Sequence, residues 1–192
     1  TAVKYSAQYG RDRQEKDSKG NIRTVTDWFP TSGTYQKSFD DYPIPGTERY
    51  DRSSLDMIQP FDTANSKLYK PEYVAGFISE RYSVGLKNGW EIAKKEIFGI
   101  LNNEVTADIR TKNAANHVRN LTMSVKHSGI KYKYLLLPIW LSSFKYKQKI
   151  YQFMVNGQTG RVGGRTPVSA IRVAIALIIA AAIIYAVLKM SG

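Results

Sequence analysis

The segment that decides the fold is NGWEIAKKEIFGILNNEVTADIRT, residues 88–111. Its apolar residues recur at steps of three and four, which is the period of one face of an α-helix. Asn88 belongs to the residue types that cap helix N-termini. The pattern predicts one long helix that buries a single stripe of side chains. The stripe consists of Trp90, Ala93, Ile97, Leu101, Val105 and Ile109.

Segments with strand patterns lie on both sides of this helix. Before it, residues 3–9, 21–29 and 34–39 are predicted as strands of an antiparallel meander, and after it residues 117–126 alternate between apolar and polar. Residues 131–144 are apolar on both faces, which predicts a central, covered strand. Two further strands, 149–155 and 158–162, are predicted around the hairpin signal Asn156–Gly157.

This order of segments predicts an α+β protein, with an N-terminal antiparallel meander followed by a long helix packed on a curved antiparallel sheet. The layout resembles cystatin-like and PepSY-like domains, whose last hairpin often has the pattern D/N-x-x-T-G-x-V, here NGQTGRV. The predicted divisions are 1–46 for the β unit, 47–87 for an irregular connector with short helices, 88–163 for helix plus sheet, and 164–167 for a joint.

Residues 168–190 are predicted to form a transmembrane helix. Residues 173–188 carry no charge, and the run extended back to Val168 contains only Arg172. A helix of about 21 residues spans roughly 31 Å, close to the roughly 30 Å of a hydrocarbon core. The excess of basic residues before the span predicts a single-pass membrane protein whose N-terminal head is cytoplasmic. The residues expected at the lipid interface are Arg161, Arg165, Arg172 and Lys189.

The net charge of +12 predicts an anionic partner. Lysines and tyrosines interleave in two segments, which suits a protein or lipid-headgroup contact and also suits single-stranded nucleic acid. A third reading is a solvated strand edge that lysines protect from pairing with other sheets. The candidate partner or headgroup surface is Lys131, Tyr132, Lys133, Tyr134, Trp140, Lys145, Tyr146, Lys147 and Lys149.

Catalytic and cofactor signatures are sparse. The chain has no Cys and two His, so disulfides and thiolate metal sites are excluded within it. It contains no phosphate-binding Walker loop, no G-x-S-x-G nucleophile elbow and no H-E-x-x-H motif. The carboxylate pair Asp40–Asp41 stands before a Pro-rich turn, which favours a structural role. We expect a protein without enzymatic activity and without a cofactor in this chain.

Three neighbouring blocks are YLLLPIWL at 134–141, FKYKQK at 144–149 and YQFMVNGQTG at 151–160. They resemble a bacterial family of membrane-attached TFIIB-type zinc-ribbon proteins, and the most specific part is VNGQTG at 155–160. Two other stretches match, namely WFPTSG at 28–33 with FDD at 39–41, and PEYVAGF at 71–77 with ERY at 80–82 and Trp90. The resemblance implies that the membrane is the bacterial cell membrane. The paired cysteines of the ribbon are absent here, so the resemblance implies zinc only if a ribbon precedes residue 1.

Some relatives of that family resemble components of envelope-stress systems that work beside SPFH (flotillin-like) scaffolds. The resemblance therefore implies a non-enzymatic, membrane-anchored assembly or docking protein, whose partners are the lipid bilayer, an SPFH-type scaffold or further copies of itself. The alternative function is a membrane-tethered nucleic-acid-binding protein. This alternative is the weaker of the two predicted functions, because only the net charge favours nucleic-acid binding.

Overall fold

The computed structural model describes residues 1–16, 20–167 and 170–191, and it shows an α+β protein. Contacts divide the chain into two compact units: unit 1 is Thr1–Glu48 with Lys67–Tyr134, and unit 2 is Arg49–Ser66 with Leu135–Gly192. The elements are β1 (Ala2–Lys16), β2 (Ile22–Gln36), α1 (Arg52–Met57), a 3₁₀ turn (Pro71–Val74), α2 (Leu86–Asn113), β3 (His117–Lys126), β4 (Ile139–Tyr146), β5 (Lys149–Asn156), β6 (Val162–Gly164) and α3 (Ala170–Ser191).

Unit 1 is built on an antiparallel sheet with strand order β2-β1-β3. β1 pairs with β2 along its whole length, from Ala2 opposite Gln36 to Lys16 opposite Ile22. Alternate residues of β1 point to opposite faces, so that Val3 and Tyr5 are buried on one side. β1 thus provides the central strand on which one face of unit 1 is assembled.

The core of unit 1 lies between this sheet and α2. The predicted helical stripe is confirmed: Leu101, Val105 and Ile109 are 0% exposed, and Ala93 and Ile97 are also buried. α2 begins after Gly85 and ends where Ala114 takes a left-handed conformation, with φ 46°. Four residues of β3 pack against the same core, namely Val118, Leu121, Met123 and Val125.

Unit 2 is built on a second antiparallel sheet, with strand order β4-β5-β6. The short helix α1 approaches this sheet at Gly163, where a Cβ atom would lie 2.8 Å from Ser54 O, Met57 Cβ and Ile58 Cγ2. Such distances are far below van der Waals contact, so only glycine permits this approach. Ile58, at the end of α1, is 0% exposed.

The predicted cystatin-like and PepSY-like layout, with α2 packed on one curved sheet of the strands that follow it, is wrong. β3 pairs with β1 and not with β4, and β4–β6 form a separate sheet. β3 joins β1 because Leu121, Met123 and Val125 extend the apolar surface begun by Val3 and Tyr5. β2 runs without interruption from Ile22 to Gln36, so the predicted strands 21–29 and 34–39 are one strand of a hairpin and not two strands of a meander.

The predicted transmembrane helix over residues 168–190 is also wrong. Among the described residues, none of the helices has both the length and the apolar character that a membrane crossing needs. Val168 and Ser169 lie outside the described residues, and α3 carries Arg172 in its first turn. The charge-free residues 173–188 cover about 24 Å as a helix, which is less than the roughly 30 Å of a hydrocarbon core. The predicted single-pass topology, bacterial cell-membrane location and cytoplasmic head depended on this span, and they are withdrawn with it.

A hydrogen-bonded ion pair joins α2 to the end of β2. Lys37 Nζ donates to one Glu104 carboxylate oxygen, and Tyr35 Oη donates to the other at 3.1 Å. The hydrogen bond from Lys37 is the main reason that the pKa of Glu104 lies below its usual 4.5, and the hydrogen bond from Tyr35 lowers it further. A lowered folded-state pKa stabilises the protein above pH 4.5, and this contribution is lost as the pH falls through the lower folded-state value.

We expect Glu104→Gln to weaken the decrease in stability of unit 1 on acidification below about pH 4.5, because the variant has no carboxylate to protonate. Urea unfolding at several pH values between neutral and acidic, monitored by circular dichroism, gives the slope of the free energy of unfolding against pH. Lys37→Met should weaken the same slope, since it removes the principal cause of the lowered pKa. An unchanged slope in both variants would contradict the role of this pair.

Candidate functional site

The two lysine–tyrosine segments predicted as one surface lie in different units. Residues 131–134 belong to a loop of unit 1. Lys133 Nζ donates to Asp41 Oδ2 at 2.7 Å, and the ring of Tyr134 stacks on Tyr82 with centroids 4.4 Å apart. Tyr132 meets Tyr134 edge to face at 5.9 Å. Lys133 and Tyr134 therefore have intramolecular roles, while Lys131 is exposed.

The second segment forms the tip of the β4–β5 hairpin in unit 2. Tyr146 pairs with Lys149, so Lys147 and Gln148 make a two-residue turn. Lys147 has φ 54°, a conformation that such tight turns require and that most residues disfavour. Its Nζ lies 5.7 Å from the centre of the Tyr146 ring. Lys145, Lys147 and Lys149 are all exposed, so the turn holds three cations in solvent.

One face of this hairpin carries a row of aromatic rings, which we call the aromatic face. The register places Trp140 opposite Val155, Phe144 opposite Tyr151, and Tyr146 opposite Lys149, all pointing to the same side. Phe144 stacks on Tyr151 at 5.6 Å and meets Phe153 at 6.1 Å. The aromatic face consists of Trp140, Phe144, Tyr146, Tyr151 and Phe153.

The aromatic face is substantially open to solvent. Trp140 is 65% exposed, Tyr146 47% and Phe144 40%, and Val162 of β6 extends the same face at 62%. The sequence predicted that residues 131–144 form a covered central strand, and this prediction is wrong: β4 starts after Pro138 and is an edge strand. An apolar row of this kind on a protein surface is typical of an interaction site.

A buried asparagine organises the turn at the base of this sheet. Asn156 is 1% exposed, and its Nδ2 donates to Ile58 O at 2.8 Å and to Pro60 O at 3.0 Å. Its Oδ1 accepts from the backbone N–H groups of Gln158 at 2.8 Å and Thr159 at 3.0 Å. The sequence predicted a turn here but not this side-chain network. Asn156 holds α1 against the sheet on the side opposite the aromatic face.

The four basic residues predicted at a lipid interface are dispersed. Arg161 Nη1 donates to Gln59 O at 2.7 Å. Hydrogen bonds from Ser53 and Ser54 are the main cause of the lowered pKa of Asp51, and the positive charge of Arg165 lowers this pKa further. Arg172 and Lys189 are exposed and lie toward opposite ends of α3. A contact between these residues and lipid headgroups stays a prediction.

Sequence reasoning missed a polar cluster on the open face of the unit 1 sheet. Trp28 covers Gly10 on the face opposite the core, where a Cβ at Gly10 would lie 3.2 Å from the indole ring. The guanidinium of Arg119 lies 3.8 Å from the centre of the Trp28 ring and donates to Gln8 Oε1 at 2.8 Å. The feature that could have indicated this cluster is a glycine, Gly10, at the position that pairs directly with a tryptophan, Trp28, in the neighbouring strand.

Asp12 completes this cluster. Thr26 Oγ1 donates to Asp12 Oδ1 at 2.6 Å, and His117 Nε2 lies 3.0 Å from Asp12 Oδ2. The hydrogen bond from Thr26 is the main cause of the lowered pKa of Asp12, and the hydrogen bond from His117 lowers this pKa further. These contacts satisfy the cluster internally, so it stabilises the open face of the sheet. Within the described part of the chain, no group of three or more His, Cys, Asp or Glu residues is arranged to hold a metal ion.

These features define an α+β protein of two units with an exposed aromatic and basic hairpin in unit 2. The chain is 27% identical over 153 residues to the uncharacterized protein YdjG of Bacillus subtilis (strain 168). The similarity covers 80% of this chain and 44% of that relative, so the chain spans less than half the length of the protein it matches. No protein-family model and no solved structure matches the chain significantly.

Proposed function

We propose that this chain is a non-catalytic docking module that binds an acidic segment of a partner protein through the aromatic face and the lysine tip of the β4–β5 hairpin. The observation that supports it best is the row of exposed rings, Trp140, Phe144 and Tyr146, which ends at three exposed lysines. Rings provide apolar contact at low conformational cost, and the lysines provide attraction to carboxylates.

The charge of the whole chain is consistent with an acidic partner. The net charge of +12 raises the local concentration of anionic ligands and accelerates their association. The resemblance to the zinc-ribbon family makes an SPFH-type scaffold the first natural partner to test. Membership of that family is likewise a proposal, supported by the residue blocks that carry the resemblance.

Single-stranded nucleic acid is a second candidate ligand. The stacked rings of Phe144 and Tyr151 lie on the face that also carries Lys149, and bases can stack on rings of this kind while lysines contact the phosphates. An acidic protein segment is favoured over it because the aromatic face also carries the exposed aliphatic side chain of Val162. An aliphatic side chain can contact apolar residues of a protein, but it cannot form a hydrogen bond or an ion pair with a phosphate group.

Binding of labelled ligands to the full chain tests the proposal. The ligands are an acidic peptide that contains leucines and a single-stranded oligonucleotide, and fluorescence anisotropy is measured over a range of salt concentrations. We expect the peptide to bind, and the triple variant Lys145→Glu, Lys147→Glu, Lys149→Glu to weaken binding by roughly tenfold or more, since each exposed charge pair contributes up to about 1 kcal/mol.

The matched control reverses three exposed lysines of unit 1, Lys67, Lys70 and Lys87. This variant has the same net charge as the hairpin variant, so any difference between them reports position and not total charge. Equal loss in both variants would show that binding follows only net charge. Binding of the oligonucleotide but not of the peptide would transfer the function to the second candidate.

A further inference from the structure

The outer edge of β4 carries backbone groups that no other strand of the described chain uses. β5 is the central strand of its sheet, and Asn156 donates its backbone N–H to Arg161 O on the β6 side. The N–H and C=O groups of successive residues point to opposite sides of a strand. The N–H and C=O groups of Val155 and Phe153 therefore point toward β4. Gly157 N donates to Pro138 O at 2.8 Å, which agrees with this alternation.

The same alternation shows which residues of β4 face outward. Val155 is opposite Trp140 and Phe153 is opposite Ser142, so these two residues of β4 use their backbone groups within the hairpin. The residues between them have the reverse orientation. The outward-facing backbone groups belong to Ile139, Leu141, Ser143 and Lys145.

β4 combines this free edge with exposure of both side-chain faces. Trp140 on one face is 65% exposed, and Leu141 on the other is 54% exposed. Apolar residues on both faces are typical of a strand that lies inside a sheet, whereas exposed edge strands normally carry charges or bulges. In β4 only Lys145, near the hairpin turn, is charged. The composition of β4 is thus that of an interior strand.

We propose that β4 pairs antiparallel with β4 of a second copy of this chain, in a register centred on Ser142. The three-stranded sheets of the two copies then form one continuous six-stranded sheet with a twofold axis through its centre. An isologous pairing of this kind closes on itself and leaves no further β4 edge. This proposal concerns the edge of β4, so it stands independently of the binding of an acidic partner to the aromatic face.

The sequence of β4 is self-complementary in this register. Ser142 opposes its own copy, and Trp140 opposes Phe144 of the second copy in a non-hydrogen-bonded pair, where side chains come closest. Aromatic cross-strand pairs are among the most stabilising. Leu141 opposes Ser143, and their outward-facing backbone groups can exchange hydrogen bonds. Every residue from 139 to 145 has a partner.

The charges of β4 favour this register and this occupant. Lys145 opposes Ile139 of the second copy, and the two copies of Lys145 lie six residues apart along the strands, about 20 Å. This separation exceeds the screening length of about 8–10 Å at moderate ionic strength, so the two lysines repel each other weakly. A register centred on Phe144 would instead place the two copies of Lys145 only two residues apart along the strands, about 7 Å.

The full chain has no cysteine, so cysteine cross-linking can test this register cleanly. Opposed residues of a non-hydrogen-bonded pair have Cα atoms about 4.5 Å apart, which is within the range that a disulfide bridges. We expect Ser142→Cys to form a covalent dimer on mild oxidation and Ser143→Cys to form one at least tenfold more slowly. Faster cross-linking through position 143 would overturn the register.

The oligomeric state, measured by analytical ultracentrifugation over a range of micromolar concentrations, tests the pairing itself. Ser143→Pro removes an outward N–H and leaves the β4–β5 bonds intact, so we expect a folded monomer. Ser143→Ala, which keeps that N–H, should remain a dimer. Circular dichroism confirms that each variant is folded. A monomeric unmodified chain, or a Ser143→Pro variant that is folded and still dimeric, would overturn the proposal, whatever the result with the acidic peptide.

Discussion

Leu101→Ala should lower the free energy of unfolding of unit 1 by about 3 kcal/mol, because it leaves a cavity between α2 and the sheet. Leu101 is 0% exposed and lies at the middle of the buried stripe, between Ile97 and Val105. The surrounding strands hold the cavity open, since β1 is paired on both sides. Urea unfolding followed by far-ultraviolet circular dichroism and by the fluorescence of Trp28 and Trp90 measures the loss.

Lys95→Ala is the matched control on the same helix. Lys95 is exposed, and alanine is an equally good helix former, so the change should stay within about 0.5 kcal/mol. A loss for Leu101→Ala as small as this would show that α2 does not cover the β1 strand as described. The comparison therefore tests the packing of unit 1 and not merely the stability of the helix.

Asn156→Ala should destabilise unit 2 by about 3 kcal/mol, which is comparable to the loss of a core residue. The substitution removes two donors and one acceptor that together serve four backbone groups, including the buried carbonyl of Ile58. Each buried polar group left without a partner costs about 1–3 kcal/mol. The fluorescence of Trp140, the tryptophan of unit 2, reports unfolding of this unit.

Gln158→Ala provides the comparison within the same turn. Its side chain accepts one hydrogen bond from Asp62 N at 2.8 Å in an exposed setting, so its loss should cost no more than about 1 kcal/mol. Hydrogen exchange should show faster exchange of the β5 and β6 amides in Asn156→Ala than in Gln158→Ala. Equal exchange rates would contradict the central role assigned to Asn156.

Local periodicity predicted the elements that bury one face. The helix α2 and the strand β3 were both predicted, because repeats of 3.6 and 2 residues are direct consequences of backbone geometry. The same reasoning did not predict which face of β2 carries Trp28, because the pattern of residues 21–29 does not distinguish the two faces of the strand. Only the pairing of Gly10 with Trp28 decides that the indole lies on the open face.

The sequence predicted one surface from two lysine–tyrosine segments but did not predict how the fold arranges them. Lys145, Tyr146, Lys147 and Lys149 were identified from composition, and the structure places them together at one turn. Residues 131–134 were assigned to the same surface because they are similar in composition, yet they belong to unit 1 and contact Asp41 and Tyr82. Composition reports which side chains are available and carries no information on which ones the fold brings together.

The sequence by itself determined the α+β class, the buried stripe of α2, the alternation of β3 and the basic, aromatic character of the β4–β5 hairpin. Tertiary structure alone decided that β3 joins β1, that β4 lies at an exposed edge and that Asn156 binds α1 to its sheet. The physical reason is range: helix and strand periods arise between residues a few positions apart, whereas these pairings join residues far apart in sequence. The predicted membrane span is wrong because its length of roughly 31 Å includes the residues up to and including Arg172, whereas the charge-free residues 173–188 cover only about 24 Å as a helix.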